Sequence, residues 1–87
     1  MKIKCAAIRY NGKLHEGRDH GEIIQRMIRE RIVRHKMPKS GDLGFVTDDG
    51  CFFGRTDALE IAIEGGQVKR GETLSPNELY SADLEQV

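Results

Sequence analysis

The sequence predicts an α+β domain: a small antiparallel sheet built from two hairpins, two helices, and a C-terminal arm or short helix. Three observations predict it. Asn11-Gly12 divides an alternating run from a short return segment, apolar residues recur at helical spacing after Asp19, and "DDG" at 48 to 50 joins two β-prone runs just ahead of a second helix start.

Residues 2 to 10, "KIKCAAIRY", alternate as a strand does, with Ile3, Cys5 and Ala7 on one face and Ala6, Ile8 and Tyr10 on the other. Asn and Gly both accept positive φ, so "KLHEG" returns as a short antiparallel strand. Asp19 is the expected cap of the first helix, with Glu22 at the capping-box position, and the helix is expected from about His20 to His35. Ile24, Met27, Ile28 and Ile32 form its predicted buried stripe, and Pro38 with "KSGD" is the predicted stop. Glu22 with Arg26, and Glu30 with Arg26 or Arg34, sit one turn apart on the wet side, where such pairs contribute about 0.2 to 0.5 kcal/mol.

"LGFVT" and "CFF" follow as the second hairpin, with Gly50 supplying the left-handed residue. Thr56 is the expected cap of a second helix from Asp57 to about Glu64, burying Leu59, Ala62 and Ile63 and ending at Gly65-Gly66. In the last segment Ser75, Pro76 and Glu78 spell a further helix start, and Leu74, Leu79, Tyr80 and Leu84 are its docking residues. No repeat or linker divides the chain, so residues 1–87 read as one domain.

A chain of 87 residues buries only about 60 to 65% of its unfolded surface, so further burial against copies of itself is the expected route to stability. Cys5 and Cys51 have no partner at metal-ligand spacing and read as reduced, packed side chains. The N-terminal apolar run is too short for a secretory signal, and no segment nears the roughly 20 apolar residues of a bilayer span. A cytoplasmic protein with no membrane partner, no cofactor and no bound metal is expected. Net charge is zero, yet residues 1 to 40 hold eleven Lys and Arg against four acids while residues 41 to 87 hold three against ten. That asymmetry either steers an anion to one face or neutralises itself within the fold.

Catalysis needs a nucleophile beside a base, paired carboxylates in distinct environments, or metal ligands at fixed spacing. No such spacing stands out, so no catalytic residue is assigned and the expectation is a protein that is not an enzyme. Two corners suit anions instead. "GRDH" places Arg18 and His20 beside a helix start, although Asp19 competes for the same positive end. "FFGRT" places Arg55 before a helix start and after two aromatics, a setting for gripping a phosphate while a planar base stacks. Alternation sends Phe52 and Phe53 to opposite faces, so one of them must meet something other than the intrachain core. Arg26, Arg29, Arg31 and Arg34 with Lys36 make the first helix basic, but they point several ways round it and Glu30 interrupts them.

Taken together, "AAIRYNGK", "GRDH", "GFVTDDGCFFGRTDALEIAIEGGQV" and "LSPNELYSADL" resemble a family of small phage and prophage proteins that includes the anti-Thoeris sponges. The resemblance implies a homo-oligomer, dimers assembled into a hexamer, in the cytoplasm of an infected bacterial host. It implies intersubunit pockets that bind cyclic ADP-ribose isomers, with cyclic oligonucleotides at a separate site in some relatives, and hold them without cleavage. The matching ligand-binding residues are Arg18, His20, Phe45, Thr47, Arg55 and Arg70. The sequence departs from the pattern at "RDH" and at Gly54, where a polar side chain is usual. The alternative reading is a nucleic-acid-binding or regulatory phage protein using the basic first helix; a third is a module whose interfaces meet only protein.

Overall fold

The computed structural model describes residues 1–33 and 36–84. Strands β1 (Ile3–Tyr10), β2 (Lys13–Gly17), β3 (Leu43–Thr47) and β4 (Phe52–Gly54) form one antiparallel sheet in the order β2-β1-β3-β4. Helices α1 (His20–Arg29) and α2 (Arg55–Glu64) follow the two hairpins, and a short α3 (Ser81–Leu84) ends the described chain. Asn11 (φ 50°) and Gly12 (φ 77°) turn the first hairpin, as their tolerance of positive φ dictates, and Gly50 (φ 87°) turns the second.

Cross-strand partners share a face of the sheet. Ala6, Phe45 and Phe53 line one row, and Ile8 lies on the same face; Ile23 and Met27 from α1, Ala58, Leu59 and Ala62 from α2, and Leu79 from the arm cluster with them as the core. Ile3 belongs to this core as well, because the register shifts between Ile3 and Cys5. The strict alternation that grouped Ile3 with Cys5 and Ala7 fails at that irregularity, which re-aims a side chain by one residue. The opposite face carries Ala7, Gly44, Val46 and Phe52. There the Arg9 guanidinium lies 4.8 Å from the centre of the Phe52 ring.

Several element ends differ from the sequence expectation. α1 stops at Arg29, six residues short of His35. The Arg31 amide bonds the Ile28 carbonyl at 3.0 Å and the Ile32 amide bonds the Met27 carbonyl at 2.8 Å, with Arg31 left-handed at φ 59°. This is a Schellman closure using arginine where glycine is usual, so it left no mark in the sequence. Arg34 and His35 lie outside the described residues. The buried stripe of α1 is Ile23 and Met27, while Ile24 is half-buried and Ile28 is 50% exposed, because the apolar arc is wider than the surface the sheet presents to it. Arg26 donates to the Glu16 carbonyl at 2.7 Å, and Glu22 lies near Arg18 in place of the expected Glu22–Arg26 pair.

α2 begins at Arg55, two residues early. Gly54 is both the last strand residue and the N-cap, so Thr56 is already inside the first turn and exposed. Gly66 (φ 73°) closes the other end by the same Schellman pattern, with the Gln67 amide on the Ala62 carbonyl at 2.8 Å. The Ser75-Pro76 helix start is not used. Ser75 Oγ accepts from the Asn77 amide at 3.2 Å, and the Asp83 carboxylate accepts from the Leu74 and Tyr80 amides, both at 2.9 Å, holding the arm as a loop until α3.

Gly44 has no room for a side chain. A Cβ there would stand 2.2 Å from the Phe53 carbonyl oxygen and 2.6 Å from Cζ of Phe52, the first a rigid backbone contact. Gly44→Ala should therefore destabilise the fold by about 2 kcal/mol or more, a fall in melting temperature of roughly 8 to 16 °C by thermal denaturation. At Gly54 the same methyl meets nothing within 4 Å and φ is −63°, so Gly54→Ala should melt within a few degrees of the wild type.

Candidate functional site

The sheet brings the starts of both long helices to one corner. Gly44 pairs with Gly54 across β3 and β4, and Gly54 leads straight into α2. His20, the first residue of α1, reaches the same strand: its Nε2 lies 2.7 Å from the Gly44 carbonyl oxygen. A carbonyl only accepts, so Nε2 carries the proton and Nδ1 is left with a lone pair. Ser81 Oγ lies 3.5 Å from Nδ1, and the imidazole meets Phe45 edge-on, with ring centres 5.2 Å apart at 75°. Ser81 is only 9% exposed, so this serine and histidine clasp α3 to the sheet and do not present a nucleophile to solvent.

The two helix starts differ in one decisive respect. The Asp19 carboxylate accepts from the Glu22 amide at 2.8 Å and occupies the positive end of α1. Arg18 Nε then lies 3.6 Å from Asp19 and 3.7 Å from Glu22. Helix α2 has no side-chain cap at all. Its first-turn amides carry the partial positive charge that an uncapped helix start presents, and the space beside Gly54 is open.

Arg55 sits at this start with its side chain 13% exposed. Its Nη2 lies 2.6 Å from Ser40 Oγ and 3.5 Å from Glu78 Oε2, and its guanidinium lies 5.5 Å from the centre of the Tyr80 ring. The Arg55 carbonyl accepts from the Leu79 amide at 2.9 Å, so the arm is stitched to the first residue of α2. Burial is the main influence on His20 and pushes its pKa down; the bond to Gly44 opposes this and the Arg55 charge adds to it.

Of the six residues singled out from the sequence, the structure gathers His20, Phe45 and Arg55 around this corner. Phe45 is completely buried and serves as the wall behind His20. Thr47 is also buried, in the β3–β4 turn, where its hydroxyl bonds the Asp49 carboxylate and the Cys51 amide. Arg70 lies on the surface in a two-bond pair with Glu60, at 3.2 and 2.7 Å. Arg18 is exposed at the start of α1. Ser40, Glu78, Tyr80 and Ser81 complete the corner and were not read as site residues. Glu78, Tyr80 and Ser81 fall in "SPNELYS", where Glu78 and Tyr80 read as helix-start and docking residues, and Ser40 falls in "KSGD", read only as a stop to the first helix. Two surface grooves, of about 250 and 400 Å³, flank Gly66 and Gln67 elsewhere on the molecule, and none of the six residues lines either. Among the described residues no group of His, Cys, Asp and Glu is placed to hold a metal ion.

The depressed pKa of His20 has a signed consequence. The unfolded chain takes up its proton near the ordinary value of 6.5, before the folded imidazole does. Stability conferred by neutral His20 is thus complete above that pH and is lost as pH falls from 6.5 toward the lower folded-state value. Melting temperature should decline on going from about pH 7.5 to 5.5, and His20→Gln, which still donates to the Gly44 carbonyl, should flatten the decline. A His20→Gln profile parallel to the wild type would place the dependence on another group.

No helix among the described residues is long and apolar enough to cross a membrane. The family model described as phage T4 y16D protein matches residues 2–84, so the small-phage-protein part of the resemblance holds, and the match says nothing of nucleotide binding. No curated protein matches the chain, and no solved structure does. Strand order, both hairpins and the corner at Gly44 and Gly54 all fall inside the matched span, and the chain belongs to the phage T4 y16D family of small phage proteins.

Proposed function

We propose that this phage protein sequesters an anionic nucleotide, binding it without cleavage, and that a phosphoryl group docks on the start of α2. Cyclic ADP-ribose isomers and cyclic oligonucleotides are the class that the sequence resemblance implies, which makes the role one of withholding an immune signal from the bacterial host. The single observation carrying the reading is the contrast between the helix starts. One is closed by Asp19; the other has no side-chain cap, open space at Gly54, and a largely buried guanidinium at its first position. Uncapped amides and an arginine favour the same charge, and the glycine leaves the backbone approachable.

The other parts of the reading follow from size and exposure. Tight retention of a small ligand requires most of its surface to be enclosed. The Arg55 corner lies at the surface of one small chain, so enclosure calls for a second copy. Arg18 and Arg70, both exposed, are the cations such a copy would bring. Tyr80, already lying against Arg55, is the aromatic best placed to meet a base. Phe45 is buried and supports from behind.

Calorimetry against cyclic ADP-ribose isomers and cyclic di- and trinucleotides tests the proposal, with recovery of intact ligand after heating the protein. Binding at micromolar protein with unaltered ligand released is expected; failure of every nucleotide to bind would end the reading, and altered ligand would indicate an enzyme. Gly54→Asp would place a carboxylate where the phosphoryl group docks. It should lower affinity at least tenfold, a loss of a charge-assisted contact or more, while the melting temperature holds or rises slightly because Asp caps a helix at least as well as Gly. Affinity that falls steeply with salt would favour the nucleic-acid alternative instead.

A further inference from the structure

Resting on that reading, we propose that Glu78 is a built-in competitor for the anion site: its carboxylate holds Arg55 in the unliganded protein and is displaced by an arriving phosphoryl group. Three contacts of different kinds fix this part of the arm on the first residue of α2. The Leu79 amide bonds the Arg55 carbonyl with the Leu79 side chain fully buried, the Tyr80 ring lies against the guanidinium, and Glu78 Oε2 stands 3.5 Å from Nη2. The first two hold the arm without help from Glu78.

The pair itself is asymmetric. Arg55 is 13% exposed and anchored by Ser40 at 2.6 Å, while the Glu78 side chain is 37% exposed and 3.5 Å away, longer than the 2.7 to 2.9 Å or so of a close charge-assisted bond. The cation is fixed and the carboxylate is the exchangeable half. A tethered carboxylate acts at an effective concentration on the order of millimolar, so a free anion displaces it only by binding better than a carboxylate does. The pyrophosphate of a cyclic ADP-ribose meets that condition, since its two linked phosphoryl groups together carry two charges where a carboxylate carries one, and its further oxygens can bond amides at the start of α2, which has no side-chain cap. A simple carboxylate does not. Glu78 therefore sets a threshold that selects phosphorylated ligands over the abundant carboxylates of a cell.

The test compares the full-length wild type with Glu78→Gln, using cyclic ADP-ribose, pyrophosphate and acetate as probes in calorimetry, with hydrogen exchange of the Leu79 amide as the measure of arm docking. Glu78→Gln should bind the two phosphorylated probes roughly fivefold more tightly, the upper end for a partly exposed ion pair, and should begin to bind acetate, with Leu79 protection retained. Unchanged or weaker binding by the variant overturns the competitor role. Loss of Leu79 protection overturns it too, since the pair would then be a fastening of the arm. If neither protein binds a phosphorylated probe at millimolar concentration, the anion site itself fails and this inference with it. Binding by the variant alone supports the competitor and refutes sequestration by the wild type.

Discussion

Gly44 has no room for a side chain, and the two helix starts and both hairpins meet around its bare backbone. On one face of the sheet it lets the Phe52 ring lie across the backbone, and from the neighbouring strand β4 it lets the Phe53 carbonyl approach within 2.2 Å of where a Cβ would stand. Its carbonyl receives His20, which fixes the start of α1 against β3. Its strand partner is Gly54, where α2 begins. Two helix starts and two hairpins are thus registered to one residue, and the corner they form is a consequence of packing before it is a candidate site.

The three phenylalanines of the second hairpin divide accordingly. Phe45 goes wholly into the core, Phe53 lies at the edge of that core, and Phe52 takes the opposite face under Arg9. Period-two alternation required that division, and the interaction of a cation with the Phe52 ring supplies what the second face would otherwise lack. The aromatic against the Arg55 guanidinium, Tyr80, arrives from the arm, far away in sequence.

Much of the architecture was legible in the residues because local rules and the global fold agree there. Asn11-Gly12, Asp19, Gly50 and Gly65-Gly66 each did what their conformational preferences predict. The misreadings have two physical sources. One is a local closure with no residue signature: Arg31 adopts the left-handed conformation and ends α1 without a glycine. The other is a side chain from further along the chain that outweighs a local signal. The Asp83 carboxylate takes the Leu74 and Tyr80 amides and overrides the Ser75-Pro76 helix signal. The register shift at Ile3 coincides with the Gln67 side chain, whose amide group bonds both the N–H and the carbonyl of Ile3 at 2.8 Å and so takes the place of a strand neighbour. The site was legible only in part. Arg55 and His20 stand out by type and position, whereas Ser40, Glu78 and Tyr80 become neighbours of Arg55 only through long-range folding.

On the proposed reading an anion settles at the start of α2 and not on the basic surface of α1. A titration of the ¹⁵N-labelled protein with pyrophosphate, followed by amide chemical shifts, separates the two. Saturable shifts largest at Arg55, Thr56 and Asp57 are expected, with the α1 amides nearly still. Shifts that fail to saturate, or that centre on Arg26 and Arg29, would contradict that reading.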